Sequence, residues 1–105
     1  HSTTPVGPYI IDKSLVPSPN NLVLKTWVNG ELRQEGTTAD MIFDVPFLVE
    51  YISSFMTLQP GDMIATGTPE GLSDVVPGDE VVVEIEGVGK LRNFIISESE
   101  FFKTV

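Results

Sequence analysis

The sequence predicts a mainly β fold with one short helix near residues 45–55. Proline and glycine divide the chain into short segments, an Asn-Gly pair separates two strand-like runs, and apolar residues recur at helical spacing in one stretch. The 105 residues include 41% hydrophobic and 20% charged ones, which is the composition of a globular protein. A chain of this length is one domain or a piece of one, and we expect it to bury an apolar core.

The first predicted elements are a short strand at residues 9–11 and a β-hairpin at residues 22–34. Between residues 22 and 28, even-numbered and odd-numbered side chains lie on opposite faces, as in any strand. Asn29-Gly30 follows at once and favours a type I′ turn, because both residues accept a positive φ. Residues 31–34 then form the returning strand.

The helix is predicted at residues 45–55. Asp44 can cap it by accepting hydrogen bonds from the free N–H groups of the first turn, and Pro46 fits in that turn because no N–H is needed there. Four apolar residues then recur at the spacing of one helical face. They are Leu48, Tyr51, Ile52 and Phe55.

Two similar segments follow at residues 58–64 and 75–81, and each contains Pro-Gly-Asp. Pro-Gly suits the centre of a type II turn, since proline fixes a negative φ and glycine accepts a positive one. We interpret the similarity as repeated turn chemistry rather than as gene duplication. Each turn is predicted to start a strand, and a further turn is predicted to lead into a last strand. The three predicted strands are 63–66, 80–86 (with Val81, Val83 and Ile85 facing inward) and 90–97.

Charge and residue types exclude several classes of function. Six lysine and arginine residues against 15 aspartate and glutamate residues give a net charge of −9, so nucleic acids and anionic membranes would repel the chain. With no cysteine and His1 as the single histidine, thiolate metal sites, histidine-rich zinc sites and a Ser-His-Asp triad are excluded within the chain. No apolar run is long enough to span a membrane. The start has neither a signal-peptide pattern nor an initiator methionine, so we expect the chain to be cut or processed there.

One loop could bind a ligand. Residues 65–71 combine two threonines, two glycines and a proline after a predicted strand. Glycine lets a backbone approach a ligand closely, and successive N–H groups could hold a carboxylate or an oxyanion, with the Thr68 hydroxyl as a further donor. The same composition is typical of ordinary turns, so both interpretations stay open at this level. A Walker phosphate loop is excluded because its Gly-Lys-Ser/Thr is missing.

The acidic residues give a weaker indication of a binding site. Glu84 and Glu86 share a strand face and could in principle bind a metal ion, but a solvated face of an acidic protein is the favoured interpretation. No other grouping of aspartate and glutamate has the spacing of metal ligands. The polar stretch 33–42, between hairpin and helix, is interpreted as a connecting loop.

Five segments, in this order, resemble a known family. They are 5–9 (PVGPY), 27–34 (WVNGELRQ), 38–43 (TADMIF), 56–71 (MTLQPGDMIATGTPEG) and 77–89 (PGDEVVVEIEGVG). From residue 4 to about residue 97 the chain closely resembles the fumarylacetoacetate hydrolase superfamily. Within it, the chain is most similar to the group of 2-hydroxyhepta-2,4-diene-1,7-dioate isomerases and 5-carboxymethyl-2-oxo-hex-3-ene-1,6-dioate decarboxylases. The resemblance implies a mixed β-sandwich or roll, with residues 1–105 as the C-terminal portion of a longer catalytic domain.

The resemblance also implies that much of the chemistry lies outside this chain. Family members use Mg²⁺ or Mn²⁺ to bind the 2-oxo-carboxylate or enol end of a substrate while an enolate develops. Their metal ligands, their His-Glu pair and a lysine near the metal all lie upstream of the segment seen here, so no catalytic residue and no metal ligand is assigned to this chain. Glu84-Ile85-Glu86 has the Glu-x-Glu pattern of the metal ligands but lies in the wrong part of the sequence, and His1 is no candidate for the His-Glu pair.

What the resemblance assigns to this chain is a substrate contact. The family's Thr-Gly-Thr-Pro loop lies against the substrate carboxylate, which implies substrate-binding roles for Thr66, Gly67 and Thr68. Gln34 and Thr38 belong to a stretch that approaches the same cavity and would support those residues from behind.

The expected function is that of part of a divalent-metal-dependent isomerase or decarboxylase of aromatic catabolism, acting on small 2-oxo or enol dicarboxylates. A C–C bond hydrolase of the acylpyruvate or fumarylacetoacetate type is the alternative within the family, and a non-catalytic β-domain for binding or assembly is the alternative from another class. The expected enzyme is a cytoplasmic homodimer. The fragment is expected to be inactive unless the N-terminal half of the same domain, or a complementing chain, supplies the metal ligands.

Overall fold

The computed structural model describes residues 4–16 and 18–104, so His1 lies outside the described residues. Within them, one antiparallel sheet has the strand order β2-β1-β3-β4. Its strands are β1 (Val23–Val28), β2 (Glu31–Thr37), β3 (Glu80–Ile85) and β4 (Gly89–Phe94). Helix α1 (Val45–Ser53) lies in the long connection between β2 and β3, and a short helix α2 (Glu98–Thr104) follows β4. The predicted mainly β fold with a helix near residues 45–55 is confirmed, whereas α2 was not predicted.

The β1–β2 hairpin forms at the predicted place. Asn29 (φ 51°) and Gly30 (φ 80°) make the connecting turn, and both have the positive φ that a type I′ turn requires. Strand β2 ends at Thr37 rather than at residue 34, because it pairs with β1 as far as Val23. Much of the stretch interpreted as a connecting loop is therefore strand.

Helix α1 begins as its sequence predicts. The Asp44 carboxylate accepts a hydrogen bond from the Phe47 N–H at 2.9 Å, and proline occupies the first turn. The helix ends at Ser53, two residues before the predicted end, and the Ser54 hydroxyl donates to the Tyr51 carbonyl oxygen at 2.6 Å. That bond satisfies one of the carbonyl groups that a helix end leaves free.

The two Pro-Gly-Asp segments form the same turn. In the first, Asp62 N donates to the Gln59 carbonyl oxygen at 3.0 Å, and Gln59 N donates to the Asp62 carboxylate at 2.8 Å. In the second, Asp79 N donates to the Val76 carbonyl oxygen at 3.1 Å, and Val76 N donates to the Asp79 carboxylate at 2.9 Å. The two glycines have φ of 95° and 98°, as a type II turn requires.

Two predicted strands are wrong. Residues 9–11 and 63–66 join no sheet within the described part of the chain. Ile10 is 91% exposed and Met63 is 67% exposed, so no neighbouring layer covers these two apolar side chains. The last strand also ends at Phe94 rather than at residue 97, ahead of helix α2.

The expected core is much smaller than the length of the chain suggests. Pairing of Leu24 with Ile85 and of Val28 with Val81 places these residues on one face of the sheet, together with Val83, as the strand alternation predicts. Val28 is nevertheless the single described apolar residue that is buried, at 3% exposure. The described residues include twenty large hydrophobic side chains that are exposed by 37% or more. Many large hydrophobic side chains of the described residues are therefore left in solvent.

Part of this surface is a continuous row of aromatic rings along helix α1, which we call the aromatic stripe. Its members are Phe43, Phe47, Tyr51 and Phe55. Successive ring centroids lie 4.7, 6.2 and 5.5 Å apart, and each ring is at least 43% exposed. Among the described residues, extensive contacts between elements occur only between paired strands. Helix α1 therefore makes few contacts with the sheet. None of the described helices is long and apolar enough to cross a membrane.

Candidate functional site

The Thr-Gly-Thr-Pro segment opens a loop at residues 66–73, the 66–73 loop, that lies directly against strand β2. A Cβ added to Gly36 would come within 2.9 Å of the Pro69 Cβ. A Cβ added to Gly71, whose φ is +102°, would collide with the carbonyl oxygen of Arg33. Two glycines, one on each side of the contact, therefore let the loop and the strand approach this closely.

Gln34 holds this loop by its side-chain amide. Its Nε2 donates to Thr68 Oγ1 at 2.9 Å and to the Pro69 carbonyl oxygen at 2.8 Å. A carbonyl oxygen can only accept, so the nitrogen of the amide must be the atom that faces the loop. Both amide hydrogens are used in holding the segment that the sequence singles out.

A second side chain of β2 reaches the far end of the same loop. Arg33 donates through its terminal guanidinium nitrogen to Ser73 Oγ at 2.7 Å, and its Nε lies 3.4 Å from a Glu31 carboxylate oxygen. Consecutive residues of a regular strand point to opposite faces, yet Arg33 and Gln34 contact one loop.

A β-bulge explains how they do so. Trp27 pairs with Leu32, and the next pair along the ladder joins Thr26 to Gln34. Arg33 is therefore the extra residue of β2, and a bulge of this kind re-aims neighbouring side chains.

The 66–73 loop forms one wall of an open cleft of about 660 Å³. The opposite wall comes from the end of β2 and from the segment that leads to helix α1, with Leu24 and Leu48 at its apolar side. Thr66, Gly67 and Thr68 line this cleft, and so does Thr38. The structure thus brings these four predicted residues to one place, with Gln34 behind the loop rather than in the cleft wall.

Thr38 has a role in the fold as well. Its hydroxyl oxygen accepts a hydrogen bond from Leu22 N at 2.8 Å, and its own N–H donates to the Leu22 carbonyl oxygen at 2.9 Å. The hydroxyl of the preceding residue, Thr37, accepts from Ala39 N at 3.2 Å and caps a short 3-10 turn. These bonds fix the cleft wall opposite the 66–73 loop.

The charges of the cleft wall are negative. Glu35, Asp40 and Glu70 line it, and the described lining contains no lysine, arginine or histidine. Lys25 lies 3.7 Å from Glu35 but is not part of the wall. An anionic ligand would thus find hydroxyl and backbone N–H donors on the 66–73 loop and no cationic side chain among the described residues of the cleft wall.

The described residues do not fit a divalent metal. No group of three or more histidine, cysteine, aspartate or glutamate side chains comes together among them. Glu84, half of the Glu-x-Glu sequence, lies 3.6 Å from Lys90 in an ion pair, and Glu86 lies in the turn between β3 and β4.

Sequence reasoning missed the residues that hold the loop from β2. Arg33 and Gly71 lie in segments that carry the family resemblance but had no role assigned, and Gly36 and Ser73 lie outside those segments. A glycine inside a strand often marks the close approach of another backbone, so Gly36 was the signal that could have indicated the contact. It was unused because residues 35–37 were not predicted as strand.

Comparison with known proteins identifies the family. A family model described as fumarylacetoacetate (FAA) hydrolase C-terminal matches residues 1–96. A 4-hydroxyphenylacetate degradation bifunctional isomerase/decarboxylase of Salmonella dublin is 73% identical over 95 residues, covering 90% of this chain and 22% of the relative. Its counterpart of the same name from Escherichia coli is 70% identical over the same shares of the two chains. The chain thus spans about a fifth of the length of these curated relatives.

Two solved structures support the same family assignment. A maleylpyruvate hydrolase from Sphingobium sp. SYK-6, in complex with manganese(II) and pyruvate, is 46% identical with a TM-score of 0.86, covering 88% of this chain and 35% of that one. A 2-hydroxyhepta-2,4-diene-1,7-dioate isomerase from Mycobacterium marinum is 44% identical with a TM-score of 0.81, over the same shares of the two chains. The resemblance inferred from the sequence is confirmed: this chain belongs to the fumarylacetoacetate hydrolase family.

Proposed function

We propose that the protein carrying this chain is an isomerase/decarboxylase of aromatic catabolism that acts on a small 2-oxo or enol dicarboxylate through a stabilised enolate. The relatives with 73% and 70% identity bear the name of an isomerase/decarboxylase. The maleylpyruvate hydrolase, at 46% identity, supports a C–C bond hydrolase as the second candidate. The higher sequence identity to the isomerase/decarboxylases favours that function over hydrolysis.

The observation that carries the proposal is the 66–73 loop, which Gln34 holds at the edge of the cleft. The Thr68 hydroxyl and the N–H groups around Gly67 are donors suited to one carboxylate of the substrate. Gly67 has a φ of +92°, so the turn that exposes these groups needs glycine at this position. In a cleft with acidic walls, these donors are the favourable contacts that this chain offers to an anion.

The proposed enzyme also uses a divalent metal, Mg²⁺ or Mn²⁺, whose ligands lie outside this chain. The manganese(II) in the related hydrolase structure supports a divalent ion, and the described residues offer no ligand set of their own. We propose that the N-terminal half of the same domain, or a complementing chain, supplies the ligands and covers the exposed apolar side chains. The 105 residues alone would then be inactive. We propose further that the enzyme is a cytoplasmic homodimer.

Binding of oxalate, a flat mimic of an enolate, to the full-length protein in the presence of Mn²⁺ tests this function. Thr68→Val should weaken oxalate binding about tenfold, the size of one hydrogen bond to a charged group, and Thr68→Ser should restore most of it. Thr57→Val is the matched control, because Thr57 is exposed beyond helix α1 and away from the cleft. Failure of the full-length protein to bind oxalate with Mn²⁺ would contradict the enzyme and favour a binding or assembly module.

A further inference from the structure

Gln34 does more than anchor the loop: its amide determines which way the Thr68 hydroxyl can point its proton. The Pro69 carbonyl oxygen can only accept, which places the Gln34 nitrogen on the loop side. Thr68 Oγ1, 2.9 Å from that nitrogen, must then act as the acceptor in the bond between the two side chains.

A hydroxyl that accepts one hydrogen bond still has its own proton to donate. Within the described part of the chain, Gln34 is the one side-chain partner of the exposed Thr68 hydroxyl. The proton is therefore free to point away from Gln34 and towards the cleft that Thr68 lines. Hydrogen bonds in a chain also polarise one another, so a hydroxyl that accepts from an amide becomes a better donor.

We propose that Gln34 is a positioning residue that turns the proton of the Thr68 hydroxyl towards the cleft, and so makes Thr68 a donor for an acceptor such as a carboxylate at this end of the cleft. This inference rests on the proposed function and names the chemistry of one end of the substrate. The bulge at Arg33 contributes to this arrangement, because it directs the Gln34 side chain towards the 66–73 loop. The hydrogen bond from Arg33 to Ser73 is a second contact that holds the same loop.

A double-mutant cycle on oxalate affinity tests the inference in the full-length protein with Mn²⁺ bound. Gln34→Leu should weaken oxalate binding about tenfold when Thr68 is present, and less than about twofold in a Thr68→Val background. A purely structural role through Pro69 would give the same loss in both backgrounds, since that bond does not depend on the Thr68 hydroxyl. Gln59→Leu, the same change at an exposed turn, is the matched control.

Gln34→Glu is the second variant, because it keeps the size of the side chain should Gln34→Leu fail to fold. An ionised glutamate can only accept, so it would take the Thr68 proton for itself and weaken oxalate binding at least as much as Gln34→Leu. Oxalate binding that both Gln34 variants leave unchanged, or equal losses with and without the Thr68 hydroxyl, would overturn the inference alone. Absence of oxalate binding by the unmodified protein would overturn the proposed function together with it.

Discussion

The side chain of Asn29 donates to the Asp79 carboxylate at 2.9 Å, across a sequence separation of 50 residues. The same side chain accepts from Glu80 N at 2.9 Å, and the backbone N–H of Asn29 donates to the Glu80 carbonyl oxygen at 2.9 Å. The tip of the first hairpin is thereby tied to the start of β3. Asn29 thus has two roles, since it also takes the positive φ of the turn.

This contact predicts a dependence of stability on pH. The hydrogen bond from the Val76 backbone, followed by the one from the Asn29 side chain, holds the pKa of Asp79 below its ordinary value of 3.8. A folded-state pKa that is lowered contributes stability that is fully present above the ordinary value and is lost as pH falls through the folded value. In full-length protein unfolded by urea between about pH 2 and pH 6, Asp79→Asn should flatten the loss of stability in acid. Equal slopes for Asp79→Asn and the unmodified protein would contradict the prediction.

The contact between the 66–73 loop and β2 predicts a large difference between two glycines. Gly71 and Gly78 have similar φ, +102° and +98°, but a Cβ would meet the Arg33 carbonyl at Gly71 and nothing within 4 Å at Gly78. Gly78→Ala should cost about 1 to 2 kcal/mol through backbone strain alone. Gly71→Ala should cost about 1 to 3 kcal/mol more, because the loop must move away from the strand. Denaturant unfolding of the two variants measures the difference, and equal losses would show that the loop does not lie against Arg33.

The cap of helix α1 gives a third prediction. The Asp44 carboxylate accepts from Phe47 N at 2.9 Å, so Asp44→Ala should lower the free energy of unfolding by about 1 kcal/mol. Asp44→Asn should keep most of the stability, because an amide oxygen caps a helix about as well. Glu50→Ala, in the exposed middle of the helix, is the control for loss of a charge. A cost at Glu50 as large as that at Asp44 would rule out the capping explanation.

The aromatic stripe and the other exposed apolar side chains predict how the 105 residues behave by themselves. Contiguous exposed apolar surface binds hydrophobic dyes such as anilinonaphthalene sulfonate. The isolated chain should increase dye fluorescence several-fold more per mole than the full-length protein does. Phe47→Ser, in the middle of the stripe, should reduce that signal more than Phe102→Ser does, since Phe102 lies apart on helix α2. Equal dye binding by the isolated chain and the full-length protein would show that these side chains stay exposed in both.

The elements that sequence reasoning predicts well are those with a local signal. Asn29-Gly30 specifies its turn through the φ angles of two residues, and Asp44 specifies the helix start through a bond three residues away. The wrong strands, 9–11 and 63–66, have apolar residues but pair with no strand in the described chain, and no local pattern reveals whether a partner strand exists.

Prediction of the candidate site from sequence has the same limit, because local patterns do not reveal contacts between distant segments. Composition indicated the Thr-Gly-Thr-Pro loop, and resemblance added Gln34 and Thr38, but the bulge at Arg33 and the contact of Gly36 with Pro69 join segments far apart in the sequence. Such contacts follow from the packed structure rather than from spacing. Their roles in substrate binding stay predictions until the oxalate experiments are done.

The strand order has a consequence for the sequence of folding events. The β1–β2 and β3–β4 hairpins each join neighbours along the chain, and local pairing of this kind forms within microseconds. Pairing of β1 with β3 must instead close the whole segment between Thr37 and Glu80, and that closure has a far larger entropic cost. We therefore expect the meeting of the two hairpins to be slower than the formation of either one, and the bonds from Asn29 to Asp79 and Glu80 to form in it. The 66–73 loop lies within the segment that this step closes, so we expect the cleft to take shape late in folding, after both hairpins.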